Sequence, residues 1–312
     1  MLQNILSMVL TFALLAGAGP RRDLGLSDSS ITPTSEMDTT IRRRVQEVHL
    51  EFSVSSQKGR PVPQLNPGDF TIYQDNHPGG NVTSFSADQN LPLNLLLLID
   101  ASDSMTRGFA AERNAAIAFL RSVVRPSIDH SAVASFSTHL RFDPGNDATS
   151  PATLFRIGML RSEGITALYD SLCESAVAFR TFGEERSPSR RVLVLLSDGD
   201  DNYSLHSLDS AIAAAQKSDL IVYAITAHDP RLVAPGDGVL DRITSETGGR
   251  FFVVKKFEQT EEAFAQIEQE IRAQYSVTFR PSDSVCGYHS LRIELRDHSL
   301  HAHSRTAFYG EC

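Results

Sequence analysis

Val48, Leu50, Phe52 and Val54 alternate with polar residues, the period-two pattern of a strand with one buried face. Phe70 and Ile72 resume the alternation after the turn-like stretch 59–68. Pro78-Gly79-Gly80 interrupts it, and Val82 with Phe85 marks a further short strand. The pattern then changes. Leu95 to Ile99 is an unbroken apolar run that ends at Asp100, as expected of a parallel strand covered on both faces. The run Leu91–Ile99 falls well short of the roughly 20 apolar residues of a membrane span.

Helical spacing follows over about Phe109–Val124, with Ala111, Ala115, Ala118, Phe119 and Val123 apolar. Strands at Ala132–Phe136, Val192–Leu196, Leu220–Thr226 and Arg250–Val254 then alternate with helices at Leu168–Phe179, Ser207–Gln216, Asp237–Thr247 and Glu258–Ala273. This alternation predicts an α/β unit over 91–273, a doubly wound and mostly parallel sheet. Period two returns at Tyr275, Val277 and Phe279, at Leu291, Ile293 and Leu295, and at Ala302, Ala307 and Tyr309. The expected layout is a small β-rich domain completed from both ends, 41–90 packing with 274–312, with the α/β unit inserted. Two separate β units would give the same pattern.

Residues 1–19 carry no charge, and the apolar run Ile5–Leu15 leads into Ala16-Gly17-Ala18-Gly19. This predicts a secretory signal peptide over 1–19, then a Ser-, Thr-, Pro- and Asp-rich linker over 20–40. The expected location is secreted or periplasmic, at a bacterial envelope, with no membrane span in the mature chain. Arg21 and Arg22 follow the apolar run, the reverse of the usual charge order. Ala18 stands where a lipid anchor would need cysteine.

Of the 312 residues 41% are hydrophobic, enough for a substantial core, and the net charge of −9 excludes a nucleic-acid binder, which needs a basic surface. Of three cysteines, Cys286 and Cys312 are the expected pair in an oxidising compartment. Cys173, at helical spacing with Tyr169, Leu172 and Ala176, reads as a buried small apolar residue.

The candidate chemistry lies where apolar strands end. One runs into Asp100-Ala101-Ser102-Asp103-Ser104 and another into Ser197-Asp198-Gly199, and a hydroxyl recurs at Thr166 on a loop entering a helix. In a doubly wound sheet such positions gather outside the carboxyl ends of the strands. Two carboxylates and three hydroxyls, with no His or Cys, suit Mg²⁺, Mn²⁺ or Ca²⁺ rather than zinc. So few carboxylates leave a bound ion attractive to an outside acid.

Asp100-x-Ser102-x-Ser104, then Thr166, then Asp198 resembles the metal-ion-dependent adhesion site of von Willebrand factor type A (VWA) domains. The contexts Thr166-Ala167-Leu168-Tyr169-Asp170 and Ser197-Asp198-Gly199-Asp200-Asp201-Asn202 resemble that family too, over about Leu93–Ala273. The flanks, 69–75 and 274–277, resemble a VWFA-related group of exported bacterial proteins. The resemblance implies that Ser102 and Ser104 contact the ion through their hydroxyls, and Thr166 directly or through water. It implies that Asp100 and Asp198 hold coordinated waters and orient the hydroxyls. An open position would take a Glu or Asp of a protein partner. Asp103 departs from the pattern, since Gly is commoner there in the family.

The expected function is an exported, divalent-cation-dependent protein-binding module of adhesion type. The alternative is an envelope structural or assembly scaffold in which the metal is only structural. No enzyme activity is expected, because no His lies in these motifs to activate Ser102 or Ser104. Asp198, Asp200 and Asn202 open like an EF-hand loop, but Tyr203 replaces its turn glycine and Asp209 its closing glutamate. His301 and His303, two apart on one strand, read as a solvated face.

Overall fold

The computed structural model describes residues 47–87, 90–145, 147–180, 189–229, 231–256, 260–281 and 286–310. The expected leader and linker, 1–40, lie outside the described residues.

The central sheet is built from β5 (Leu93–Asp100), β6 (His130–Phe136), β7 (Leu140–Phe142), β8 (Arg190–Leu196), β9 (Ile221–Ala227) and β10 (Phe251–Val254). Their spatial order is β10-β9-β8-β5-β6-β7, parallel except for β7. All eight residues of β5 are buried because both faces are covered. Leu93, Leu95, Leu97 and Ile99 face one apolar layer, shared with α1 (Phe109–Val123) and α6 (Glu261–Arg272). There Phe119 stacks on Phe264 with ring centroids 4.3 Å apart. Leu96 and Leu98 face the other layer, with α3 (Leu168–Phe179), α4 (Leu208–Lys217) and α5 (Asp237–Thr247). Unbroken apolar strands thus sit between two helical layers, as their composition requires.

The flanking segments form two antiparallel sheets. One has the order β13 (Leu300–Ser304), β1 (Val48–Ser56), β11 (Tyr275–Phe279), β4 (Val82–Ser86). The other runs β14 (Ala307–Gly310), β12 (Gly287–Leu295), β2 (Phe70–Gln74), β3 (His77–Pro78). β1 pairs with two strands that follow the central sheet in sequence, and β2 pairs with β12. Their alternating apolar residues meet in one core, where Phe52 packs against Phe70 and Tyr275.

Three elements were not legible as periodic segments: β7, the short helix α2 (Pro151–Met159), and β3, whose Pro78 was expected to interrupt the strand pattern but pairs with Tyr73 of β2. Cys286 is disulfide-bonded and Cys173 is a buried free thiol, while Cys312 lies outside the described residues. His301 is exposed as expected. His303 corrects that reading: it is half-buried and bonded to Ser55 Oγ at 2.9 Å. Among the described residues, no helix is long and apolar enough to cross a membrane.

Candidate metal centre

The carboxyl ends of β5 and β8 lie side by side, since Ile99 pairs with Leu196. Asp100 and Ser197 are the next residues on each strand, and the Ser197 hydroxyl donates to Asp100 Oδ2 at 2.7 Å. Asp100 Oδ1 accepts from the Ser102 backbone N–H at 2.9 Å, which turns the chain sharply out of the strand. The turn brings Ser102 Oγ within 3.0 Å of Ser104 Oγ. Asp100, Ser102, Thr166 and Ser197 are buried, Asp198 is half-buried, and Ser104 with Asp103 is exposed.

Paired backbone contacts lace three loops together. Asp103 N donates to Gly164 O at 2.9 Å and Glu163 N to Ala101 O at 2.7 Å, joining the Ser102 turn to the loop that carries Thr166. Thr166 N donates to Asn202 Oδ1 and Asn202 N to Thr166 O, both at 3.0 Å, joining that loop to the one after Asp198. Gly199 has φ +80, and a Cβ there would meet Gly236 O at 2.5 Å, so the loop before α5 closes directly against the Asp198 turn. All three stretches that carry Asp100, Ser102, Ser104, Thr166 and Asp198 therefore meet at one sheet edge.

The donor chemistry fits a hard divalent cation. In an octahedral shell with oxygens about 2.1 Å from the ion, neighbouring oxygens lie about 3 Å apart. The Ser102–Ser104 hydroxyl pair has that spacing. Among the described residues, no group of three or more His, Cys, Asp or Glu is arranged to hold an ion. Burial pushes the Asp100 carboxyl up to about 6, and the Asp198 charge adds to the rise, against hydrogen bonds from Ser102 and Ser197.

The EF-hand reading fails on geometry. Asn202 Oδ1 is turned to the Thr166 N–H, and Asp209 pairs with Arg242 at 2.6 Å. Asp198 Oδ1 accepts from Asp200 N at 3.1 Å, a local turn rather than a calcium loop.

Several residues outside the five candidate ligands support or adjoin the site. Ser197 orients Asp100, although it stands next to Asp198 in the motif. Asp170 Oδ1 accepts from His206 N at 2.8 Å and from His206 Nδ1 at 2.7 Å, and both its oxygens accept from Leu205 N. This clamp presents Leu205, 94% exposed, beside Tyr203 and the cleft next to Thr166. Glu112 of α1 is fully buried, and neither carboxylate oxygen has a hydrogen-bond partner among the described residues. The sequence did carry a signal for it, a charged residue in the buried stripe of Phe109, Ala115, Ala116 and Phe119.

A parallel sheet between helical layers, with laced hydroxyl and carboxylate loops at its carboxyl edge, defines the VWA class. The von Willebrand factor type A domain profile matches residues 94–266, and the chain belongs to this family. Among curated proteins, none matches the chain. Similar solved structures include proximal thread matrix protein 1 from the mussel byssus, with a zinc-occupied MIDAS motif, at 19% identity and TM-score 0.49, covering 64% of this chain and 50% of that one. A von Willebrand factor type A protein from Catenulispora acidiphila matches at 13% identity and TM-score 0.47, covering 84% of this chain and 74% of that one. The open form of the pilus adhesin SpaC from Lactobacillus rhamnosus GG matches at 10% identity and TM-score 0.47, covering 79% and 48%. The chain thus spans about half the length of the mussel protein.

Proposed function

We propose that this chain is a divalent-cation-dependent protein-binding module of adhesion type, exported to the bacterial envelope or secreted. Asp100, Ser102, Ser104, Thr166 and Asp198 hold Mg²⁺, or Mn²⁺ or Ca²⁺ in its place. The observation that carries the reading is the graded exposure of the site. Asp100, Ser102 and Thr166 are buried, while the adjoining Ser104 faces solvent. An ion held from below by these oxygens keeps an outward position for a donor from another molecule. A bound ion with few carboxylates around it supplies positive charge there, which favours a Glu or Asp side chain.

A protein surface suits the rim better than a small solute does. Ile165, Tyr203 and Leu205 are exposed next to the site, and apolar groups of this size are enriched where proteins meet. No enzymatic activity is part of the reading. Ser102 Oγ and Ser104 Oγ bond to each other, and no His is bonded to either of them among the described residues.

The test is capture of partners from envelope extract by the immobilised chain, in Mg²⁺ against chelator, with Ser102→Ala as control. Capture by wild type in Mg²⁺ alone is expected, with loss in Ser102→Ala. Capture indifferent to chelator would favour the scaffold reading, in which the metal only stabilises the fold.

A further inference from the structure

We propose that the cleft beside the cation site, between the β6–β7 hairpin and the α2–α3 loop, takes further acidic residues of the partner segment whose acid reaches the ion. The inference rests on the protein-binding reading above and names the partner's chemistry, an exposed stretch of polypeptide with several acids in a row.

The hairpin is bonded to two of the stretches that build the site. Ala101 N, between Asp100 and Ser102, donates to Phe136 O at 2.6 Å, and Ala167 N, next to Thr166, donates to Ser137 O at 2.8 Å. Glu163 N closes the α2–α3 loop on Ala101 O at 2.7 Å. Between hairpin and loop lies a cleft of about 270 Å³, and Ala101 forms part of its wall. That volume is below the usual range of small-molecule pockets and suits single side chains entering from a larger partner.

The cleft is basic on a chain of net charge −9. Arg141 lines it from β7, together with its cross-strand partner Ser135, and Arg161 lines it from the opposite loop. Both arginines are exposed, and neither guanidinium has a hydrogen bond or ion pair among the described residues. His139 and Glu163 line the cleft too, and two guanidinium groups outweigh the one carboxylate. The hydroxyls of Ser135 and Ser137 also have no partner among the described residues and can donate to an incoming carboxylate. The other flank of the site has the reverse sign, with Asp200 and Asp201 following Asp198. An acidic segment that leaves the ion is repelled on that flank and drawn toward the hairpin.

The experiment reads the fluorescence anisotropy of two labelled peptides on the full chain in Mn²⁺, hexaglutamate and a glycine hexapeptide with a single glutamate. Wild type should bind hexaglutamate more tightly than the single-acid peptide. The double variant Arg141→Ser/Arg161→Ser should lose about fivefold in hexaglutamate affinity, the effect of two exposed charge contacts, and should keep wild-type Mn²⁺ affinity by calorimetry. Arg60→Ser/Arg121→Ser, which loses the same charge at exposed positions outside the cleft, should bind hexaglutamate as wild type does. Unchanged hexaglutamate affinity in Arg141→Ser/Arg161→Ser, or equal loss in both double variants, would overturn the proposal while leaving the cation site standing. So would hexaglutamate binding as tight in chelator as in Mn²⁺. So would stronger displacement by a heparin hexasaccharide than by unlabelled hexaglutamate, which would assign the cleft to a sulfated glycan. Wild type that binds neither peptide in Mn²⁺ would overturn the reading of an acid-capturing ion and this inference with it.

Discussion

Ser197 Oγ donates to Asp100 Oδ2 across 2.7 Å, tying together the ends of two adjacent parallel strands inside the core. The bond fixes the carboxylate whose other oxygen turns the chain at Ser102. Both partners are buried, so removal of the hydroxyl leaves a desolvated oxygen without its donor. Ser197→Ala should cost about 1–3 kcal/mol in urea unfolding. It should also weaken Mg²⁺ binding, because Asp100 can then rotate. A variant with wild-type stability and wild-type affinity would show the bond to be incidental.

Asp100 makes the stability of the cation-free protein depend on pH. Its folded pKa, about 6, lies above the ordinary value of 3.8, so the fold favours the protonated acid. The stabilisation is present below about pH 4 and is lost as pH rises through about 6, by roughly 3 kcal/mol for a gap of this size. Melting in chelator should therefore become easier between pH 4 and pH 7. Mg²⁺ favours the ionised form, so its stabilising effect should be large at pH 7.5 and nearly absent at pH 4.5. A Mg²⁺ shift of equal size at both pH values would rule out this linkage.

Asp129 anchors the opposite end of the same strand. Its buried carboxylate accepts from Leu93 N at 2.9 Å, from Arg125 Nη2 at 2.9 Å and from Arg272 Nη2 at 2.7 Å. Burial raises its pKa, but the hydrogen bonds from Arg125 and Arg272 outweigh it and bring the group down to about 2. Its contribution is therefore complete above about pH 4 and lost as pH falls toward 2. Asp129→Ala should cost about 3–5 kcal/mol by breaking a buried pair. Mg²⁺ affinity should not change, because the strand separates Asp129 from the site by roughly 20 Å. Reduced affinity in a folded Asp129→Ala protein would contradict that separation.

Much of this arrangement was legible in the chain. Leu95–Ile99 and Val192–Leu196 could only be covered strands, and their terminal acids could only gather at one edge of a parallel sheet. What escaped were features decided by contact across the sequence. The helix α2 is nine residues long, too short for periodicity to declare, although Ser150 caps it through Thr153 N and Pro151 opens it. β7 is three residues that pair only because β6 offers an edge. The EF-hand likeness at Asn202 was already broken by Tyr203 and Asp209, but the actual partner of its side-chain oxygen, the N–H of Thr166, is distant in sequence. Glu112 stood in the apolar stripe of its helix, but only the tertiary fold shows that the side chain is fully buried.

The central claim is that oxygens from three distant stretches share one divalent ion. The direct measurement is Mn²⁺ titration by calorimetry on wild type, Asp100→Ala and Thr166→Ala, each first confirmed as folded by circular dichroism. The account predicts one saturable ion per wild-type chain and loss or strong weakening of binding in both variants. No binding to wild type, or equal affinity in all three proteins, would contradict it.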